Sequence, residues 1–334
     1  MNQIFHKIIK HIKKEYKFII INIFLILIFI IPLPYVIYFP GNITNVSDKI
    51  IINNGYESEG SINSTYVSSI TPSVPFVILA LLLPNWDIET QQSQVLDNEK
   101  YEDMENRSKN YLEEANSSAI IVALDSLNIS YEVTNIKNKV IYISDHKTNT
   151  LQLNDEIISI AGTQVKNIFD IQEYINKKEV GDNIEFSVLR NNVLTSATAK
   201  IILKNERKII GIMLSTSYEV KSDYNIEMKM DKKESGPSAG LMTSLAIYDA
   251  LTINDITKSN VIAGTGTIDL EGNVGSVGGI KYKLIGAAKN KVDIFIIPED
   301  NYDEAIQINN IFKLDLSIYG VKTFNDALEV LSNY

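Results

Sequence analysis

The 334-residue chain contains no cysteine. Disulfides, thiolate metal sites and a cysteine nucleophile are therefore excluded. Exported bacterial proteins often have no disulfides, so this absence does not place the soluble part inside a cell. Histidine is almost as scarce. His6 and His11 precede a long apolar run, which leaves only His146 for any Ser-His-Asp arrangement. No Gly-x-x-x-x-Gly-Lys-Ser/Thr run occurs, and the glycines from Gly264 to Gly279 do not follow a phosphate-binding spacing. No cofactor is expected. Positive charge is also short, with a net charge of −10. Lys7, Lys10, Lys13, Lys14 and Lys17 against Glu15 put +4 on residues 1–17, so −14 of that total of −10 falls on the rest. An acidic body without a basic patch argues against nucleic acid as a partner.

Apolar residues make up 45% of the chain, enough for a real core and two modest domains. Phe18 to Phe39 reads as a run without formal charge, broken by Asn22, Pro32 and Pro34. Its length predicts a transmembrane anchor over 18–39. The lysines before it orient residues 1–17 as a cytoplasmic tail, with the remainder extracytoplasmic in a single-pass topology at the cell membrane. Pro32 and Pro34 are expected to end or kink the helix, and Tyr35 and Tyr38 suit the interface. A cleaved signal peptide is the rival reading, but no small-x-small site follows Ile31. A second run, Val74 to Leu83, is too short to span and reads as a buried or interfacial segment.

Residues 40–128 read as a juxtamembrane region of short strands and loops that ends in a helix over 101–128. From 129 to 204 the pattern is β-rich with one helix. Val140 to Ile143 is a strand, and Leu153 to Gly162 is a turn, a strand and a tight turn. Ile168, Ile171 and Ile175 have helical spacing, and Ile184 to Leu189 alternates as a strand. The order Leu-x-x-x-Asp-x-Ile-x-x-Ile-x-Gly, a helix, Gly181-Asp182 and a strand ending in Arg190 resembles a PDZ domain. That resemblance implies binding of an extended peptide at a sheet edge. From 205 to 334 strands and helices alternate. Strands are expected over Ile209 to Leu214, Tyr224 to Met230, Val261 to Ile268 and Asp293 to Ile297, and helices over Ser238 to Leu251, Lys281 to Lys289 and Phe324 to Ser332.

The chemistry-bearing residues concentrate there. Ser238 follows Gly236-Pro237 and opens a helical run, where free backbone N–H groups stabilise an oxyanion. Ala239 and Gly240 keep space around its hydroxyl, although Gly-Pro-Ser also suits a plain helix cap. A serine nucleophile needs a base. With His146 unsupported, that base is a lysine held neutral by burial. Lys281 and Lys283 both lie beside the Gly278-Gly279 turn, and spacing does not choose between them. Thr265 and Thr267 end the preceding strand, where a hydroxyl could orient the amine or simply suit a strand.

These ordered motifs, with Gly-x-Val and the strand end Ile297-Pro298-Glu299-Asp300-Asn301, resemble the proteolytic domain of the Lon family over most of 205–325. The resemblance implies a Ser-Lys dyad of Ser238 and Lys283, with Thr265 orienting the lysine and Gly236 and Ala239 shaping the serine turn. Ser235 departs from the Asp or Gly frequent at its position, which bears on the substrate-side loop and not on the dyad. The order of segments resembles the membrane-anchored, PDZ-containing Lon-like peptidases of the YlbL-like group, which lack the ATPase module. An α+β multidomain fold is implied: a transmembrane helix, a PDZ-like β-rich domain and a Lon-type α/β proteolytic domain. So is an ATP-independent serine endopeptidase acting on peptide or protein substrates, in a family that works as homo-oligomeric rings. A membrane-tethered peptide-binding scaffold with an inactive protease domain is the second reading.

Overall fold

A computed structural model describes residues 2–229, 231 and 233–334. The chain divides into two units, one of residues up to Pro40 with Val67–Ser93, the other of Gly41–Tyr66 with Gln94–Tyr334.

In the first unit, helix α1 (Asn2–Ile30) stops where Pro32 and Pro34 remove backbone donors. Leu33 N–H instead donates to Pro72 O at 2.8 Å. The chain then becomes the strand Tyr35–Asn45, whose Tyr35 to Tyr38 pair antiparallel with Thr90 to Asp87. The run from Phe18 to Phe39 is therefore not one helix, as the sequence suggested. Its helical part ends at Ile30, and its last residues are paired in a sheet. Among the described residues no helix is long and apolar enough to cross a membrane. Charges at Lys13, Lys14, Glu15 and Lys17 leave only Phe18 to Ile30 as uncharged helix. At 1.5 Å per residue that is about 20 Å, against a hydrocarbon core of about 30 Å. The second apolar run is helix α2 (Val74–Leu82), opened by Pro75. It is not a buried segment, because Ala80 is its only buried residue.

In the second unit, helix α3 (Tyr101–Ser126) lies between two sheets. One is antiparallel, in the order Ile212–Ser222, Tyr131–Ile143, Glu156–Ile160, Asn183–Arg190, Val193–Lys200, with the short strand Thr163–Gln164 on Glu156–Ile160. Helix α4 (Ile168–Asn176) covers it, begun by a capping box of Asn167 and Asp170. Ile157, Ile171, Ile175, Phe186 and Val188 form its core. The sequence read Ile209 to Leu214 as a strand of the following domain. The observed strand runs to Ser222 and pairs along Tyr131–Ile143, because both are long and interrupted only by bulges.

The other sheet has the order Ile318–Val321, Ile294–Pro298, Val261–Gly264, Ser61–Ile70, Tyr35–Asn45. Its first four strands run parallel. Helices α5 (Gly240–Leu251), α6 (Ile280–Ala288), α7 (Tyr302–Phe312) and α8 (Phe324–Asn333) complete this half. Ile294–Pro298 is buried at every position because both faces are covered. Ile294 and Ile296 join a core with α3, α5 and α8, while Phe295 and Ile297 join one with α6 and α7.

Of the stretch 40–128, read from the sequence as a juxtamembrane region, Gly41–Tyr66 and residues 94–128 fold with the residues that follow. Ser61 to Ser64 pair in parallel with Val261 to Gly264, and α3 packs against α5. A buried parallel strand needs partners on both edges, and residues before the antiparallel sheet supply one of them. Of the strand expected over Tyr224 to Met230, Glu227–Met228 pairs with Ile50–Ile51, and Met230 lies outside the described residues.

Candidate active site

The turn before α5 is built by backbone bonds. Gly236 has φ of 87°, a left-handed conformation that favours glycine, and a Cβ there would meet nothing within 4 Å. Conformation, not space, selects glycine at this position. Its N–H donates to Ser108 O on α3 at 2.8 Å. Gly240 N–H donates to Pro237 O at 3.1 Å, and Ala239 O accepts from Thr243 N–H at 2.9 Å. Ser238 is thus held half-buried just ahead of a helix N-terminus. Its own N–H and that of Ala239 donate to no acceptor among the described residues.

The end of the strand Val261–Gly264 is stitched to this turn. Gly266 N–H donates to Ser238 O at 2.9 Å, and Leu241 N–H donates to Gly266 O at 3.1 Å. Gly264 allows the close approach, since a Cβ there would lie 2.5 Å from Ile296 O and 2.6 Å from Met242 Sδ. Thr265, fully buried, donates its hydroxyl to the same Ser238 carbonyl at 3.0 Å.

Lys283 enters from α6. The helix starts after Gly279, and its inner face packs Ile280 and Leu284 against Ala263. That face carries Lys283 into the protein at 4% exposure. Its Nζ donates to Thr265 Oγ1 at 2.9 Å. Loss of hydration lowers its pKa from 10.5 to about 8, and burial is the only cause of the shift. One hydroxyl therefore accepts from the amine and donates to the serine carbonyl. It holds Lys283 and the Ser238 turn in one network and leaves the amine's remaining positions for other partners.

Spacing left Lys281 and Lys283 open. Lys281 is half-exposed, with Nζ 5.0 Å from the Tyr282 ring centroid, whereas Lys283 is buried beside Thr265. Thr267 lies in a two-residue ladder with Val274–Gly275. His146 is exposed on a loop of the antiparallel sheet. Glu234, beside Ser235, is ion-paired to Lys49 and so ties the loop before the serine to the strand region around Ile50. Among the described residues no group of His, Cys, Asp or Glu could hold a metal ion.

Two supporting residues escaped sequence reasoning. Ser108 acts through its carbonyl, which leaves no side-chain signature. Asn301 was visible only as the last letter of the strand-end motif. Its Oδ1 accepts from Val277 N–H at 2.9 Å and its Nδ2 donates to Val277 O at 3.2 Å, clamping the backbone just before Gly278-Gly279.

Two segments of the chain match known protein families. Residues 216–333 match the Lon protease (S16) C-terminal proteolytic domain, and residues 126–201 match a PDZ domain. A Lon-type proteolytic domain and a PDZ domain are therefore present. The Lon protease of Buchnera aphidicola subsp. Schizaphis graminum (strain Sg) is 30% identical over 186 residues, covering 55% of this chain and 23% of that protein. The Lon protease of Campylobacter jejuni subsp. jejuni is 35% identical over 122 residues, covering 35% of this chain and 15% of that protein. The chain thus spans less than a quarter of the length of these relatives. A crystal structure of the PDZ domain of an SdrC-like protein from Listeria monocytogenes aligns over 25% of this chain and 92% of its own, with 26% identity and a TM-score of 0.23.

Proposed function

We propose that the chain is an ATP-independent serine endopeptidase with a Ser-Lys dyad. The observation that carries this reading is the buried Lys283 amine, its pKa lowered to about 8, bonded to the hydroxyl that also holds the Ser238 carbonyl. Ser238 Oγ attacks the scissile carbonyl carbon while its proton passes to neutral Lys283 Nζ. The oxyanion that forms is met by free N–H groups of the turn at Ser238. The intermediate collapses with cleavage of the C–N bond, and Lys283 returns the proton to the departing amine. Water then attacks the acyl-serine and gives a proton to Lys283; the ester C–O bond breaks, Lys283 returns that proton to Ser238 Oγ, and the carboxylic acid product leaves. Thr265 fixes the direction of the amine, and Gly236 and Ala239 shape the turn.

In the same reading the PDZ-like domain, residues 129–204, binds an extended stretch of substrate, and α1 holds the chain at a cell membrane with residues 1–17 cytoplasmic. Phe18, Ile20, Ile23, Phe24, Phe29 and Ile30 are exposed around α1, which suits lipid better than water. Lys13, Lys14 and Lys17 before them suit an anionic membrane surface. Self-association into a homo-oligomer belongs to the same proposal.

The test is cleavage of casein without ATP by the full chain in detergent, beside Ser238→Ala. Peptides that appear with the first and not with the second support the reading. Equal cleavage by both overturns it. If neither cleaves, labelling of Ser238 by an acylating probe decides, and failure to label leaves a peptide-binding scaffold with an inactive protease domain.

A further inference from the structure

We infer that α2 is a second membrane-seated element, an interfacial helix whose occupant is the acyl region of a bilayer. The inference rests on the reading that the chain is held at a membrane, and it goes beyond anchoring by α1.

The chemistry of the segment is unusual. No charged residue occurs from Gly60 to Trp86. On α2, Phe76, Ile78, Leu79, Leu81 and Leu82 are all exposed, Leu81 at 75% and Leu82 at 76%. At 100° per residue these positions cover an arc of about 220°, wider than a single docking stripe, with Val77 and Ala80 in the remaining sector. A helix made to dock on a protein surface shows an apolar stripe and a polar back, whereas one apolar all round belongs in a core or in lipid. No core of the described residues receives α2, because Ala80 alone is buried. The medium over that wide arc must therefore be apolar, which a partner covering a narrow stripe would not provide.

Two further features fix the medium as a bilayer boundary. Helix α2 packs against α1, so the two apolar surfaces are continuous within the first unit. Just past α2, Trp86 stacks on Phe39 with ring centroids 4.5 Å apart. Such aromatic pairs suit the headgroup level, where one edge is wet and the other apolar. With nine residues α2 reaches only about 13 Å, too short to cross a core of about 30 Å, so it lies in the interface.

The lack of native cysteine makes the test clean. Single-cysteine variants Leu82→Cys on α2, Ile26→Cys on α1 and Ile253→Cys, exposed in the second unit, carry an environment-sensitive fluorophore in the full chain. Each is placed in phosphatidylcholine–phosphatidylglycerol vesicles with and without nitroxide-labelled lipid. The expected result is quenching of Leu82→Cys by roughly half, matching Ile26→Cys, with Ile253→Cys unchanged. Quenching at Ile26→Cys but not at Leu82→Cys overturns the inference and leaves anchoring by α1 intact. Quenching at neither overturns both. A Leu82→Cys probe shielded from aqueous iodide yet unquenched by lipid would mean that protein, such as a second copy of this chain, covers α2, and would also overturn it.

Discussion

Asp155 in the antiparallel sheet and Lys283 on α6 are both buried charges, and the fold treats them in opposite ways. Asp155 is gripped by Arg190, with Nε and Nη2 each 2.7 Å from its two oxygens, and it also accepts from Gln152 N–H at 2.8 Å. Lys283 has one neutral hydroxyl at 2.9 Å and no carboxylate partner among the described residues. The two bonds from Arg190 to Asp155 tie two strands together. An unpaired buried amine sheds its proton near neutrality, which suits a base and weakens the fold. One charge thus serves structure, and on the proposed mechanism the other serves chemistry.

The largest effects should come from removing the unpaired charge or its serine. Ser238→Ala and Lys283→Ala should each lower kcat/KM by roughly 10³-fold or more, and Lys281→Ala by only about twofold. Loss of activity in Lys281→Ala with retention in Lys283→Ala would move the base and break the contrast. Removing the paired charge should act on stability instead. Asp155→Ala strands the Arg190 guanidinium, and urea unfolding should register a loss of about 3 kcal/mol. A change near zero would make that pair ornamental.

Lys283→Met should do the reverse of Asp155→Ala. It should be inactive yet gain about 1–3 kcal/mol at pH 7, read by the same urea titration, because a buried ammonium is no longer required. The sign follows from linkage. The folded pKa is about 8 and the ordinary value 10.5, so between those values the unfolded chain binds more protons and stability rises with pH. Lys283→Met should abolish that slope. On the proposed mechanism the peptidase rate should climb as pH passes through about 8, where the amine becomes neutral.

A smaller effect than loss of the dyad is expected at Thr265→Val, which removes the acceptor for the amine and the donor to Ser238 O. Activity should fall about tenfold, and the midpoint of the pH–rate curve should move to lower pH because a hydroxyl acceptor favours the charged amine. An unchanged midpoint would mean that Thr265 only supports the turn.

Much of this contrast was legible in the sequence. Asp155 and Arg190 stood in the PDZ-like pattern, and Ser238, Thr265 and Lys283 in the Lon-like one. What misled was segment length and partnership. Phe18 to Phe39 looked like one span because hydropathy does not register that the chain after Pro34 gains strand partners. Residues 40–128 looked independent because parallel pairing of Ser61–Ile70 with Val261–Gly264 joins strands about two hundred residues apart, which no local pattern encodes. The helix α7 and the strand Ile318–Val321 went unmarked for a similar reason: each is short and stabilised by its neighbours.

Local chemistry was therefore a property of the sequence alone. The absence of cysteine, the scarcity of histidine, the glycine turns and the order of the motifs pointed to the chemistry proposed above, a serine with a lysine as its base. The choice between Lys281 and Lys283 belonged to tertiary structure. Both sit on the first turn of α6, but only the helix face packed on Ala263 and Thr265 is dehydrated, and dehydration is what moves a lysine pKa.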